Sequence, residues 1–149
     1  MHYITDQDYR TVIGEHALNV VSQIDGTIRQ QAEEQAIEEI SSYLRPKYDT
    51  DAIFNAQEET PPPSGGAGGR SKLLVMYTCD IALYHMTASV PQKMGMEIRK
   101  ERYERAIKWL EGVQAGKIVP DLPLATDEEG NPTGIPFIYG SQPQLKHNW

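Results

Sequence analysis

Apolar residues recur along this chain at helical rather than strand spacing. Ala36, Ile37, Ile40, Tyr43 and Leu44 fall three and four apart, which predicts a helix with one buried face, opened by Thr27 and stopped by Pro46. Leu73, Leu74, Tyr77, Ile81, Tyr84 and Ala88 repeat the pattern from Ser71 to Pro91. Arg99, Tyr103, Ala106, Ile107, Leu110 and Val113 repeat it again from about Met94 to Ala115, with Gly116 suited to end that helix in a left-handed turn. Upstream, Thr5 and the acids Asp6 and Asp8 form an N-cap and first turn before Tyr9, Val12 and Ile13. Gly14 interrupts, and Ala17 to Val21 add a second short helix. The fold class is therefore mainly α, a small bundle of about five helices.

Two stretches break the pattern. Residues 49–70 have little apolar periodicity and read as a long loop, stiffened by Pro61, Pro62 and Pro63 and loosened by Ser64 to Gly69. After Gly116 come five of the chain's ten prolines, so no helix is expected there. Asp127-Glu128-Glu129-Gly130-Asn131 is turn chemistry, and its flanks (Leu122 and Leu124; Ile135, Phe137 and Ile138) can pair as a β-hairpin. The expected organisation is a helical domain over 1–116 with an inserted loop at 49–70, followed by an extended interaction arm over 117–149. The arm carries too many apolar groups for a solvated tail. Leu122, Leu124, Phe137, Ile138, Tyr139 and Trp149 are its candidate partner-interface residues.

Composition narrows the class. With 39% hydrophobic residues and net charge −7, 149 residues can bury a modest single core, and the acidic balance argues against a general binder of nucleic acid or anionic membrane. The charge is uneven: residues 1–60 carry net −8, while 71–115 carry net +2. Such polarity can orient head-to-tail contacts between identical subunits. No run approaches the ~20 apolar residues of a membrane span, and the opening residues lack the basic and apolar regions of a secretion signal. The expectation is a soluble protein in a reducing compartment, without membrane contact.

Candidate chemistry is sparse. The four histidines show no paired zinc spacing, and His85 reads as a satisfied, half-buried histidine. Glu33-Glu34 and Glu38-Glu39 are placed on the solvent face, opposite Ala36, Ile37 and Ile40. Gly69-Arg70-Ser71-Lys72 misses the phosphate-loop pattern, and Cys79 has no neighbouring base. No catalytic, cofactor-binding or metal residue is assigned, and no enzyme activity is expected. Asp80 stands out among Tyr77, Ile81 and Tyr84 on a helix that must pack. A buried carboxylate needs partners, and Arg99, Arg102 and Tyr103 on the next helix are candidates for a structural clamp with it.

The stretches Glu39-Ile40-Ser41-Ser42-Tyr43-Leu44-Arg45-Pro46-Lys47-Tyr48, Cys79-Asp80-Ile81-Ala82-Leu83-Tyr84-His85 and Arg102-Tyr103-Glu104-Arg105-Ala106-Ile107-Lys108-Trp109-Leu110 form one set. With Tyr3-Ile4-Thr5 and Gly116-Lys117-Ile118, they resemble a family of small structural proteins of tailed phages and Mu-like prophages, similar in turn to head–tail connector (adaptor, head-completion) proteins. The resemblance covers about residues 1–118 and is carried by helix-packing patterns, with no catalytic residue to transfer. It implies a virion protein at the head–tail neck, assembled in the host cytoplasm. There it forms a cyclic homo-oligomer of about twelve copies that joins portal to tail and neck proteins and lets DNA pass non-specifically. The alternatives are a tail-completion protein, a small helical DNA-binding or regulatory protein, and an enzyme subunit.

Overall fold

The structure, a computed structural model, describes residues 2–22, 26–56, 69–88 and 95–133. Among them are six helices in the order α1 (Asp6–Arg10), α2 (Glu15–Val21), α3 (Gly26–Leu44), α4 (Thr50–Phe54), α5 (Lys72–Ala88) and α6 (Met96–Gln114). No strand forms among the described residues; two isolated antiparallel bridges join Tyr48 to Leu124 and Thr126 to Pro132. The body is a bundle of α3, α5 and α6, each packed on the other two, with α1 and α2 against α5 and α4 against α3.

Local chemistry explains several helix ends. Thr5 and Asp8 close a reciprocal capping box at α1: the Asp8 amide donates to the Thr5 hydroxyl, and the Thr5 amide to the Asp8 carboxylate at 2.7 Å. Ser71 caps α5 by accepting the Leu74 amide at 3.4 Å. At the end of α6, Gly116 takes φ +75°, so its amide reaches Val113 O while the Lys117 amide reaches Gly112 O. These two bonds are the paired closure expected of a glycine C′ residue. Thr27 is not the cap expected of it, because α3 already includes Gly26.

The 49–70 segment is not loop throughout. Asp49 accepts the Ala52 amide at 3.0 Å and starts α4, which buries Ile53 and sets Phe54 edge-on to Tyr3 at 4.8 Å. Five residues with two large apolar side chains are too few to show a period, which is why the pattern missed this helix. Residues 57–68, with the proline and glycine runs, lie outside the described residues.

At the centre, α5 is buried on nearly every side, including Leu74, Cys79, Ile81, Ala82, Leu83 and Met86 at 0% exposure. The expected single stripe was too narrow, since four helices surround α5. Leu73 and Ala88, placed inward by periodicity, are exposed. Against α5 lie Ala36, Ile40 and Leu44 from α3 and Ala106, Leu110 and Val113 from α6, all fully buried or nearly so. Each large apolar side chain removed from water in this core contributes roughly 1.5–3 kcal/mol before entropy is subtracted.

Past α6 the chain turns back onto its own body. Gly112 has no side chain, so Ile118 lies flush against α6, in space a Cβ would enter to within 2.6 Å of Ile118 Cδ1. Leu122 packs against the core. Backbone bonds from Asp49 N to Pro123 O and from Ala125 N to Lys47 O tie this segment to the end of α3. Of the hairpin expected across the acidic turn, one flank is described: Leu124 pairs with Tyr48, Thr126 bridges to Pro132 across the turn, and Ile135, Phe137 and Ile138 lie outside the described residues.

Candidate functional site

Among the described residues four clusters of polar side chains stand at helix contacts. In the first, Asp80 of α5 has a side chain with no exposure, and Arg102 of α6 donates to its Oδ1 at 2.7 Å from Nε. Arg99 stands one turn earlier on α6 and donates to Val12 O at 3.3 Å. Burial lowers its pKa, and the Arg102 charge lowers it further. Asp80 Oδ2 and Arg99 Nη1 are buried without a hydrogen-bond partner among the described residues. The expected clamp thus contains Asp80 and Arg102, with Arg99 beside them.

Tyr103, the fourth clamp candidate, belongs to a second cluster. Its hydroxyl donates to Glu39 Oε1 at 2.6 Å, and His85 Nε2 lies 2.9 Å from Glu39 Oε2. Tyr84 stacks on the Tyr103 ring at 4.0 Å. Burial pushes the Tyr103 phenol up, and the adjacent Glu39 carboxylate adds to that. Glu39 therefore joins α3 to both α5 and α6. His85 is the half-buried, satisfied histidine the sequence suggested.

A third cluster centres on Glu33, which is 5% exposed rather than on the solvent face. It accepts from the Tyr9 hydroxyl at 3.0 Å and from Arg29 Nε at 2.8 Å, and His2 Nδ1 lies 3.3 Å away. Arg29 continues to Asp6 at 2.7 Å and covers the Tyr9 ring at 4.6 Å. Burial alone would lower the Arg29 pKa; the bonds to Glu33 and Asp6 outweigh it and push it up. The correction is a matter of spacing. Glu33 lies three residues before Ala36 and seven before Ile40, on their stripe, and Glu39 lies three after Ala36. Glu34 and Glu38 are the exposed pair.

The fourth cluster was not foreseen. Arg70 donates from Nη1 to Tyr3 O at 2.7 Å and to Asp8 Oδ2 at 2.6 Å, fastening the start of α5 to the N-terminal segment. Burial by itself would raise the Asp8 carboxyl, but hydrogen bonds from Arg70 and Thr5 prevail and hold it below its ordinary value. Cys79 is buried, and its thiol is pushed well up by desolvation, the opposite of nucleophile activation. Among the described residues no three His, Cys, Asp or Glu side chains are grouped to hold a metal ion, and no helix is long and apolar enough to cross a membrane.

Of the arm residues, Leu122 is spent on its own core and Leu124 stays 38% exposed beside Tyr48. Phe137, Ile138, Tyr139 and Trp149 lie outside the described residues. The turn before them is exposed and well built. Asp127 Oδ1 accepts the Glu129 and Asn131 amides at 3.0 and 2.8 Å, leaving the Glu128 and Glu129 side chains to solvent.

Fold and clusters together define a small helical-bundle protein whose buried charges tie helix to helix. Residues 55–136, more than half of the chain, match the family described as "Bacteriophage Mu, Gp36". The chain belongs to that family and is a phage protein, which points to a structural or morphogenesis role. No curated protein and no solved structure matches it significantly.

Proposed function

We propose that this protein is a head–tail connector: a structural virion component that assembles as a ring of about a dozen copies at the neck, between portal and tail, around the path of the DNA. Membership of the Mu Gp36 family carries the reading, joined to the uneven charge along the chain, net −8 over residues 1–60 and net +2 over residues 71–115. Heterologous contacts between unlike surfaces of one chain generate rings when the rotation closes. The net charge of −7 suits a conduit wall, since phosphates are repelled and DNA slides without sticking. The four polar clusters are satisfied mainly within the chain and serve packing, so the reading includes no enzymatic step.

The test is a phage carrying an early stop in this gene. Expected are DNA-filled heads and complete tails that remain separate, joined into infectious particles when purified protein is added to the lysate. Joined particles lacking the protein, or heads that never fill, would refute the connector reading. Tails of abnormal length or with open ends would transfer the protein to tail completion.

A further inference from the structure

Between α5, α6 and the residues that follow α6 a groove of about 560 Å³ opens to solvent. Its floor is apolar: Tyr77 and Trp109, with ring centroids 5.1 Å apart, and Ile118, which the missing side chain of Gly112 allows to close in. Its rim is basic, with Arg105, Lys108 and Lys117 all exposed. None of these three cations enters an ion pair among the described residues. Among the described residues Glu111 is the only acid lining the groove. An aromatic floor inside a ring of unneutralised positive charge fits an acidic segment that also carries an apolar contact.

The same chain presents such a segment and does not place it there. Every residue of the turn Asp127-Glu128-Glu129-Gly130 is exposed, and none lines the groove of its own chain. Among the described residues its three acids enter no ion pair, and exposed Pro132 stands at its base. The Asp127 side chain and the bonds Asp127 N to Asn131 O and Thr133 N to Ala125 O fix its shape before any contact, so little ordering remains for binding.

We infer that the acidic turn of one copy docks into the Trp109 groove of the next, with Glu128 and Glu129 against Arg105 and Lys108 and Pro132 on the aromatic floor. The inference rests on the ring reading for its expectation that copies meet head to tail. It adds which surfaces meet. The contact joins unlike patches, so each copy keeps a free turn at one end and a free groove at the other.

The test mixes two full-length variants, Glu128→Cys and Lys108→Cys, under mild oxidation; native Cys79 is buried and does not compete. Expected is a disulfide-linked heterodimer in the mixture, absent when Lys100→Cys replaces Lys108→Cys. Adding Arg105→Glu to the groove chain cuts the yield about tenfold at low salt, and adding Glu129→Lys to the turn chain restores it. No heterodimer, or one indifferent to both charge changes, overturns the inference. So does a shift of duplex DNA by the wild-type chain that Arg105→Glu abolishes, because the rim then serves phosphate. Connector function is scored separately. Stop-mutant heads and tails rescued by a chain that forms no heterodimer overturn this interface and leave the ring reading standing. A heterodimer from a chain that the stop mutant does not need supports the interface and overturns the neck.

Discussion

Asp80 and Arg102 offer the sharpest test of how this bundle is held. The Asp80 side chain has no exposure, whereas the Arg102 side chain is 23% exposed, so the two halves of the pair should fail unequally. Arg102→Met keeps most of the stem's packing and leaves a buried carboxylate without its 2.7 Å donor. Breaking a buried pair in this way costs about 3–5 kcal/mol; the nearby Arg99 guanidinium, whose Nη1 has no partner, brings the expectation to the lower end. Asp80→Leu leaves Arg102 able to turn toward water, and about 1–2 kcal/mol is expected. The double variant removes both charges together and should lie within about 1 kcal/mol of wild type, or above it. Urea unfolding followed by far-ultraviolet circular dichroism reads the three differences. A loss of 3 kcal/mol would also lower Tm by about 6–12 °C in a chain of this size. If the double variant loses the sum of the single losses to within about 0.5 kcal/mol, the residues are uncoupled and the clamp is wrong.

Asp8 should set an acid limb. Its carboxyl is held below the ordinary value when folded, so the stability it contributes is complete above about pH 4 and drains away as pH falls through the depressed folded value. Asp8→Asn should flatten that part of the stability–pH curve, and an unchanged curve would show that another carboxylate governs it. Tyr103→Phe removes the 2.6 Å bond to Glu39 and should cost about 1–2 kcal/mol in chemical unfolding, with no loss if Glu39 is already satisfied by His85. Gly116→Ala forces a side chain onto φ +75°, and a loss of about 1 kcal/mol is expected; no loss would mean that the turn after α6 relaxes freely.

What was legible in the sequence followed from local rules. Thr5, Ser71 and Gly116 end helices by chemistry confined to a few neighbouring residues, and each acts as its type predicts. The Asp80–Arg102 pair was legible because a carboxylate on an otherwise apolar helix face has to find a cation. Glu33 and Glu39 were misplaced by a prior about residue type. Acids were assigned to solvent although their spacing put them on the stripe of Ala36 and Ile40, and their partners Tyr9, His85 and Tyr103 come from other helices. Helix α4 was too short to show a period. The hold of residues 117–126 on the end of α3 depends on backbone pairing between Tyr48 and Leu124, which no side-chain pattern announces.

That last feature bears on how a ring could close. An acidic turn on a free arm would meet its neighbour at any angle, and the number of copies would be left to the portal. Here the chain leaves α6 through the Gly116 turn, lies down through Ile118 on Gly112, and is pinned again at Lys47 and Asp49 before it enters the turn. The turn is therefore a fixed projection of the body, and so is the Trp109 groove, built on α5 and α6. In the proposed ring, with both surfaces referred to one bundle, the rotation relating successive copies would be set by the fold, and closure would be a property of the subunit. Loosening the pin should then change how many copies close the ring while leaving the charge-paired contact intact. Leu124→Gly, which loosens the backbone between the two bonds at Lys47 and Asp49, is the variant that separates the two. Rings of altered or mixed size with an unchanged heterodimer cross-link are expected, viewed by electron microscopy of the assembled protein. Rings of unchanged size would mean that the portal dictates the number of copies.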